Sequence, residues 1–400
     1  MALGSFLKNR AFKFEVHLYR EDRWTIETIL DQEEEATRVA RKLLGKNGSE
    51  EVKIIRYKDA KKGRSFESEI FHEKQTRPTE APLSLGEVPK KIDPCQTLED
   101  CFSFDATLLM SRLFRMFLVR NTVTMHEVMY NGKLIQKLDD AGGMLNAAIF
   151  KIAAVQAPAL EQTQRQRAAV LDGILGQATA RARELAADRK RMPKADGGDL
   201  NALSATIKAR FDAADHDHVF MTVLGQRFFG MTAVAGRLEA LLAEIDDGLD
   251  DSLLRLVEPI IAECLDFADV VQELFGPHPN LAGFLCMLID LLNGRLDLEL
   301  SHLDKNLVRI ARLMKSDRAP HCREVLLGRL ENELNGRKAL NRRSPDKEKR
   351  CFDQVMLHLG QGGSDLTMRP GIRTGISHRK KSFRQQELRK LGLHDAADAL

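Results

Sequence analysis

The chain has 400 residues, of which 43% are hydrophobic, and a formal net charge of +3. Four hundred residues exceed what one hydrophobic core usually supports, so we expect two or three domains. The hydrophobic content is enough to bury a core, which excludes a wholly disordered chain.

The first predicted elements form a small α+β domain over residues 1–73. Apolar and polar side chains alternate from Phe12 to Tyr19 and again from Trp24 to Ile29, which is typical of two half-buried strands. Asp31 is a candidate cap of a helix with three glutamates in its first turn. Two more strands follow at 52–55 and 64–71. The order β-β-α-β-β predicts an antiparallel sheet with one helix on a face. We interpret Trp24 as the core anchor beneath that helix, with an exposed aromatic surface for protein recognition as the alternative.

A proline-containing linker is predicted for residues 74–96, which carry Pro78, Pro82, Pro89 and Pro94 and few apolar side chains. Residues 97–360 then show apolar side chains at i, i+3 and i+4, so we predict a large all-α, irregular multi-helix domain. Its helices begin near Thr97 and continue near 122–139, 144–157, 159–190, 199–214, 219–245, 252–275, 281–292, 295–316, 321–335 and 344–360. A sub-boundary is predicted at 191–199.

The C-terminal residues 361–400 are predicted to form a flexible, basic, partly disordered tail. Residues 361–381 are rich in Gly, Ser and Arg, and Ser382–Leu391 has the pattern of a short basic amphipathic helix. From Gly336 to Leu391 there are fifteen Lys or Arg and five Asp or Glu, a net charge of +10. From Met231 to Asn335 there are ten basic and nineteen acidic residues, a net charge of −9. The tail therefore has two candidate partners, an external polyanion and the acidic domain of its own chain.

A cytoplasmic location is predicted from the cysteines and the apolar runs. The six cysteines form no CxxC pair and are scattered singly, which is typical of reduced thiols. The N-terminus has too short an apolar run for a signal peptide. The longest apolar run, Leu281–Leu292, contains Asp290 and is shorter than the ~20 residues that a bilayer requires. We therefore predict no membrane span.

Two residue pairs have the spacing of metal ligands. Asp212 and His216 are four apart and would share a helix face. Glu299 and His302 match the Glu-x-x-His element of di-iron bundles, but no second copy accompanies them. A polar helix end and a solvated helix face explain both pairs more simply, so we predict no metal and no cofactor.

The clearest local signal is the basic cluster of the tail. Arg379, Lys380, Lys381 and Arg384 are the predicted anion-binding or partner-binding residues, because closely spaced cations attract phosphates. Aromatic side chains interleave with them only at Phe383.

The sequence contains no complete catalytic or cofactor-binding motif. The leading hypothesis is a non-enzymatic regulatory or scaffold protein whose helical domain offers grooves to partner proteins. The alternative is a nucleic-acid-associated protein that uses its basic tail. A second alternative is a metal-dependent helical enzyme. Catalytic residues and oligomeric state are not predicted.

Overall fold

The computed structural model describes residues 12–20, 23–44, 51–60, 63–74, 83–188, 190–195, 199–246, 248–298, 303–361 and 365–399. The chain divides into two compact units, Met1–Pro82 and Leu83–Leu400. The first is a sheet unit and the second a helical unit, as the sequence predicts.

The sheet unit contains four antiparallel strands and one helix. The elements are β1 Phe12–Arg20, β2 Arg23–Leu30, α1 Glu33–Leu43, β3 Glu51–Ala60 and β4 Gly63–Lys74. The strand order is β2-β1-β3-β4, which confirms the predicted β-β-α-β-β arrangement. One face of the sheet carries Val16, Leu18, Val52 and Ile54, which are fully buried in a core shared with α1.

The opposite face of this sheet carries Trp24 and Tyr19. Trp24 pairs with Tyr19 across β1 and β2, and the two rings lie 5.3 Å apart. The ammonium of Lys53 lies 4.3 Å from the centre of the Trp24 ring. The interpretation of Trp24 as the anchor beneath α1 is therefore wrong. A register shift in the β1–β2 pairing also brings Ile26 and Ile29 to this face, although they are three residues apart.

The helical unit is built from α-helices and short 3-10 turns, and its described residues contain no strand. The α-helices are α2 Leu98–Cys101, α3 Phe104–Leu113, α4 Arg115–Asn121, α5 Met125–Met129, α6 Gly132–Asp139, α7 Met144–Gln156, α8 Gln164–Ala187, α9 Leu200–Arg210, α10 His216–Arg227, α11 Val234–Asp246, α12 Asp251–Asp266, α13 Ala268–Phe275, α14 Leu281–Leu292, α15 Lys305–Lys315, α16 Pro320–Asn335, α17 Glu348–Gly360, α18 Pro370–Lys390 and α19 His394–Asp398. The predicted helix 252–275 is divided at Phe267, whose extended backbone ends α12 and precedes α13.

The centre of the helical unit is α12. It packs against α3, α9, α11, α13 and α16. Most of its residues are buried, including two glutamates, Glu258 and Glu263. Buried carboxylates are costly unless they are paired or hydrogen-bonded, so the partners of these two residues determine how the neighbouring helices are held.

The segment 83–96, predicted as the second half of the linker, lies against the helical unit. The Gly86 amide donates to the Leu113 carbonyl (2.9 Å). A Cβ at Gly86 would lie 2.5 Å from the Arg112 carbonyl oxygen, so only glycine allows this approach. The Gln156 amide also donates to the Asp93 carbonyl (2.7 Å). These contacts attach the segment, which is why the division between the units falls at residues 82 and 83.

The basic segment near the C-terminus packs on the helical unit through α18. Ile372 is fully buried, and a side chain on Gly375 would come within 2.9 Å of the Leu334 side chain on α16. The predicted helix Ser382–Leu391 is thus the second half of a longer helix. Residues 370–381, predicted to be mobile, form its first half.

None of the described helices is by itself long and apolar enough to cross a membrane. Among the described residues, one bent pair has the length and apolar composition of a membrane span. It consists of α6 and the segment Met144–Leu160, with a bend of 85° between them.

Candidate functional site

A groove of about 950 Å³ lies between α6, α8 and α10 of the helical unit. The turn before α6 and the loop after α8 complete its walls. Its lining residues are Glu127, Tyr130, Asn131, Gly132, Lys133, Gln136, Ala182, Arg183, Ala186, Ala187, Met192, Pro193, Lys194, Thr222, Gly225, Gln226 and Phe229. We call this the α6–α8–α10 groove.

Phe229 stands at the rim of the groove and is 88% exposed. Two phenylalanines follow the end of α10, and successive residues of a helical turn point about 100° apart. Phe228 takes the inward direction and is buried, so Phe229 points outward. Gly230, with φ of +94°, then turns the chain. The local sequence therefore holds a large apolar ring in solvent.

Several of the groove's lining residues are small. Ala182 and Ala186 lie one turn apart on α8, and Gly225 faces them from α10. Small side chains leave the helix backbones close to the surface, so a further helix can approach closely. The Asn131 side chain accepts from the amides of Lys133 and Leu134 (3.0 and 3.3 Å) and thereby fixes the start of α6 at one wall.

The exposed charges among the lining residues are all positive. Lys133, Arg183 and Lys194 are exposed. The Arg183 guanidinium donates to the Gln136 side chain (2.9 Å), which leaves its charge uncompensated at that contact. Among the described lining residues the one carboxylate, Glu127, is buried. The groove is therefore apolar inside with a cationic rim.

Glu127 is neutralised behind the groove by Arg237 of α11. The guanidinium donates to both carboxylate oxygens, Nε to Oε2 (2.7 Å) and Nη2 to Oε1 (3.0 Å). The Thr124 amide donates to Oε2 (2.8 Å). Burial raises the pKa of the Glu127 carboxyl, and Arg237 and Thr124 oppose that rise. This pair ties α11 to α5, directly beneath the groove wall.

The neighbouring His126 side chain contacts Glu263 of α12. Glu263 accepts from His126 Nδ1 (2.5 Å), the His126 amide (3.2 Å), the Met125 amide (2.5 Å) and the Ser111 hydroxyl (2.8 Å). Burial alone raises the pKa of the Glu263 carboxyl, but these donors together bring it below its usual value. The carboxylate satisfies the first amides of α5, which have no partner within their own helix.

Glu258, also on α12, accepts a hydrogen bond from a first-turn amide of α16 in the same way. Its carboxylate accepts from the Cys322 amide (2.8 Å) and contacts His321 Nδ1 (2.5 Å). Each buried glutamate therefore receives a first-turn amide and a histidine from another helix. This repeated arrangement fixes α5 and α16 to the central helix.

The predicted metal candidates do not form a common site. Asp212 precedes a 3-10 turn, Ala213–Asp215, which separates it from α10. His216 Nε2 lies 2.9 Å from the Phe211 carbonyl oxygen. Glu299 and His302 lie outside the described residues. Within the described ranges, no three His, Cys, Asp or Glu side chains come together as a metal ion would require.

His218, next to the predicted pair, lies among aromatic rings. Its ring is 4.9 Å from Phe102 and 4.6 Å from Tyr130. Burial, with a contribution from Arg181, lowers the pKa of His218 to about 4. The imidazole is therefore neutral at neutral pH and packs against the Phe102 and Tyr130 rings.

Arg379, one of the four predicted tail residues, closes the C-terminal end of α16. Its guanidinium donates to the carbonyls of Leu334 and Glu333 (2.9 Å each), Gly336 (3.1 Å) and Lys338 (3.2 Å). The last carbonyls of a helix lack partners within it and carry partial negative charge. The structure thus uses Arg379 to hold α18 on α16.

The other three predicted residues, Lys380, Lys381 and Arg384, are exposed on α18. Lys380 and Lys381 make no hydrogen bond or ion pair with the described part of the chain. A cleft of about 470 Å³ lies beside them, and its lining includes Arg337, Lys338, Glu348, His378, Ser382 and Phe383. We call Lys380, Lys381 and Arg384 the α18 basic surface.

Comparison of the chain with family models, curated proteins and solved structures finds no match. The function of the groove is therefore inferred from its geometry.

Sequence reasoning did not identify the α6–α8–α10 groove. Its walls come from segments up to about a hundred residues apart, and no local pattern brings them together. One signal was present, the pair Phe228-Phe229 before Gly230, because two adjacent aromatic residues at a helix end cannot both face one core.

Proposed function

We propose that the helical unit binds one amphipathic helix of a partner protein in the α6–α8–α10 groove. In this proposal the chain acts as a regulatory or scaffold protein rather than as an enzyme. The observation that carries it is the exposed Phe229 ring at the rim of a groove whose lining includes several small residues.

The exposed phenylalanine supports a protein partner. Large aromatic side chains are enriched at the few interface positions that dominate binding energy. A phenylalanine side chain that stays in water lacks the roughly 2 kcal/mol of favourable free energy that its burial would contribute. A partner that covers Phe229 recovers this free energy on binding.

The shape and charge of the groove support a helix with acidic flanks. Amphipathic helices insert apolar side chains at i, i+3, i+4 and i+7 into grooves between helices. Lys133, Arg183 and Lys194 at the rim favour Asp or Glu beside those anchors. A basic amphipathic helix would meet repulsion at the same positions.

The proposal places the protein in the cytoplasm. All six cysteines are described and none forms a disulfide. Free thiols of this kind are usual in reducing compartments.

A displayed library of amphipathic helical peptides with Leu anchors tests the proposal. Its flanking positions are either Glu or Lys. We expect the full-length protein to enrich Glu-flanked peptides. Phe229→Asp should weaken the selected peptides by about 2 kcal/mol, or about 30-fold, as measured by fluorescence anisotropy.

Two further variants sharpen this experiment. Leu357, 57% exposed on α17, supplies the matched control: Leu357→Asp should bind as the wild type does. Lys133→Glu/Lys194→Glu should shift the preference from Glu-flanked to Lys-flanked peptides. Absence of enrichment, or equal losses with Phe229→Asp and Leu357→Asp, would show that the groove does not bind helices.

A second candidate function is polyanion binding by the α18 basic surface. The observation that favours it is the pair of exposed lysines, Lys380 and Lys381, without partners in the described part of the chain. Lysine ammonium groups that contact phosphates release the counterions condensed on the nucleic acid, so binding of this kind weakens as the salt concentration rises.

We expect the wild type to bind duplex DNA with an affinity whose logarithm decreases linearly with the logarithm of the salt concentration. In Lys380→Ala/Lys381→Ala the magnitude of this slope should be smaller by about 1.8, because each lost phosphate contact removes about 0.9. Anisotropy of a labelled duplex between low and physiological salt measures the slope. Lys315→Ala, an exposed lysine on α15, is the control and should leave the slope unchanged. No binding at low salt would rule out this second function.

A further inference from the structure

The residues that follow α18 carry the pattern that the α6–α8–α10 groove is proposed to accept. Apolar residues recur at i, i+3, i+4 and i+7, which places them on one face of a helix: Leu393, Ala396, Ala397 and Leu400. The structure forms α19 over His394–Asp398, and Leu400 lies outside the described residues. The charged side chains of residues 391–400, Asp395 and Asp398, are both acidic. We call residues 391–400 the α19 segment.

The α19 segment is exposed and weakly attached to the rest of its own chain. Leu391 is 73% exposed and Leu393 is 51% exposed. α19 packs against α18, and Ala397 is its one buried residue. Asp398 accepts from the Arg389 guanidinium (2.8 Å), but both side chains are more than half exposed, and exposed ion pairs contribute little to stability. Little free energy is therefore lost when the segment leaves α18.

The connection to α18 allows this movement but limits its reach. Gly392 joins the two helices with φ of +77°, and glycine can leave this conformation for others without a side-chain clash. α18 packs mainly on α16 and α19, and neither of these helices nor α18 itself lines the groove. Eight helical residues span only about 12 Å. The segment is therefore placed to enter the groove of a neighbouring molecule rather than that of its own chain.

The α19 segment and the groove match in side-chain size. Ala396 and Ala397 lie at the centre of the apolar stripe, and Ala182, Ala186 and Gly225 line the groove. Small side chains on both surfaces allow two helices to approach closely. The leucines at the two ends of the stripe then supply the larger anchors.

The two surfaces also match in charge. Asp395 and Asp398 lie on the face of the helix opposite the apolar stripe. When the stripe enters the groove, this opposite face lies at the level of the rim. The exposed cations of the rim, Lys133, Arg183 and Lys194, therefore meet a segment that carries only acidic charge.

We propose that the α19 segment of one molecule occupies the α6–α8–α10 groove of a second copy of this chain. The inference rests on the proposed function of the groove and names its partner. Helix α1 has the same apolar spacing, but its Ala36 and Ala40 are fully buried against the sheet and so cannot enter a groove. Each molecule uses two different surfaces, its segment and its groove, so the contact is heterologous and builds closed rings or open chains.

Sedimentation of two full-length variants, alone and mixed, tests this proposal. Phe229→Asp alters the groove and keeps the segment, whereas Leu393→Asp alters the segment and keeps the groove. We expect the average mass of the wild type to rise with concentration and each variant alone to associate about 30-fold more weakly. The mixture should form a one-to-one complex with the affinity of the wild type, because one intact segment meets one intact groove. Leu357→Asp is the control and should associate as the wild type does.

A labelled peptide of residues 391–400 separates this inference from the proposed function of the groove. Fluorescence anisotropy should show it binding to full-length Leu393→Asp, whose groove is free, and about 30-fold more weakly to Leu393→Asp/Phe229→Asp. If helices selected from the library bind the groove but this peptide does not displace them, the partner is not a second copy and only this inference fails. A library without enrichment removes both proposals. A wild-type mass that is independent of concentration, or a mixture that associates no better than its components, would also overturn the inference.

Discussion

We expect Arg237→Met to lower the free energy of unfolding of the helical unit by about 3–5 kcal/mol. The substitution removes both hydrogen bonds from the guanidinium to Glu127 and leaves a buried carboxylate unpaired. Native proteins are stable by only about 5–15 kcal/mol, so the loss is large. Urea denaturation of the full chain, monitored by the circular dichroism signal of its helices, measures this loss of stability.

The double variant Glu127→Gln/Arg237→Met separates the buried charge from lost packing. A neutral Gln carries no charge to desolvate, so we expect the double variant to be more stable than Arg237→Met alone. The single variant should also gain stability as the pH falls. Its Glu127 pKa in the folded state exceeds the unfolded value, so the folded protein binds the proton more tightly. A double variant no more stable than the single one would contradict this account.

Glu263→Leu should cost at least about 3 kcal/mol, because several buried donors lose their acceptor at about 1–3 kcal/mol each. The donors are the amides of Met125 and His126, the His126 ring and the Ser111 hydroxyl. Glu263→Gln keeps one acceptor oxygen and should cost less. The same denaturation experiment ranks the two variants.

The contribution of Glu263 also has a defined pH dependence. Its pKa is lower in the folded than in the unfolded protein, so its stabilisation is complete above the unfolded value, about 4.3, and is lost as the pH falls through the folded value. Glu263→Gln should flatten this acid limb of the stability curve. Glu184→Gln, at an exposed position of α8, should leave the curve within about 0.5 kcal/mol of the wild type. Identical acid limbs for Glu263→Gln and the wild type would contradict the role of the carboxylate.

These two predictions concern the same wall of the candidate site. Arg237 fixes α5 through Glu127, and Glu263 fixes the start of the same helix. The turn at Tyr130 and Asn131 follows α5 directly and lines the groove. Buried ion pairs therefore place one wall of the groove relative to the central helix, and their loss should affect both stability and peptide binding.

The sheet unit and the all-α character of the rest of the chain could be predicted from the sequence because they depend on local periodicity. Alternation over Phe12–Tyr19 and helical spacing after residue 97 are properties of short segments. The breaks between helices were harder to predict: 122–139 and 219–245, each predicted as one helix, are two helices in the structure. The face occupied by Trp24 was predicted wrongly, since it depends on how β2 pairs with β1. Trp24 pairs with Tyr19, which lies opposite the core face. A pairing register is a tertiary property that strand periodicity alone does not determine.

The basic segment shows where charge patterns mislead. Arg379 and Lys380 are adjacent and equally basic in sequence. Arg379 donates to carbonyls of residues 333–338, more than forty positions earlier, whereas Lys380 faces solvent. The two residues differ because only Arg379 contacts the C-terminal end of α16. No sequence pattern near residue 379 reveals that contact.

The buried polar residues show a further limit. His126 and Glu127 are adjacent in the sequence. In the structure each side chain contacts a separate partner, Glu263 and Arg237 respectively. Both partners lie more than a hundred residues away, so their pairing follows only from the packing of α5 against α11 and α12.

Site-specific photo-crosslinking tests the central claim, that the α6–α8–α10 groove holds a partner helix, most directly. A benzoyl-phenylalanine at position 229 is compared with one at position 357 in the cells that produce the protein, and the crosslinked peptides are sequenced. We expect position 229 alone to capture a defined segment with apolar residues at i, i+3, i+4 and i+7 and acidic residues beside them. The same products at both positions, or a captured segment that is extended or basic, would contradict the claim.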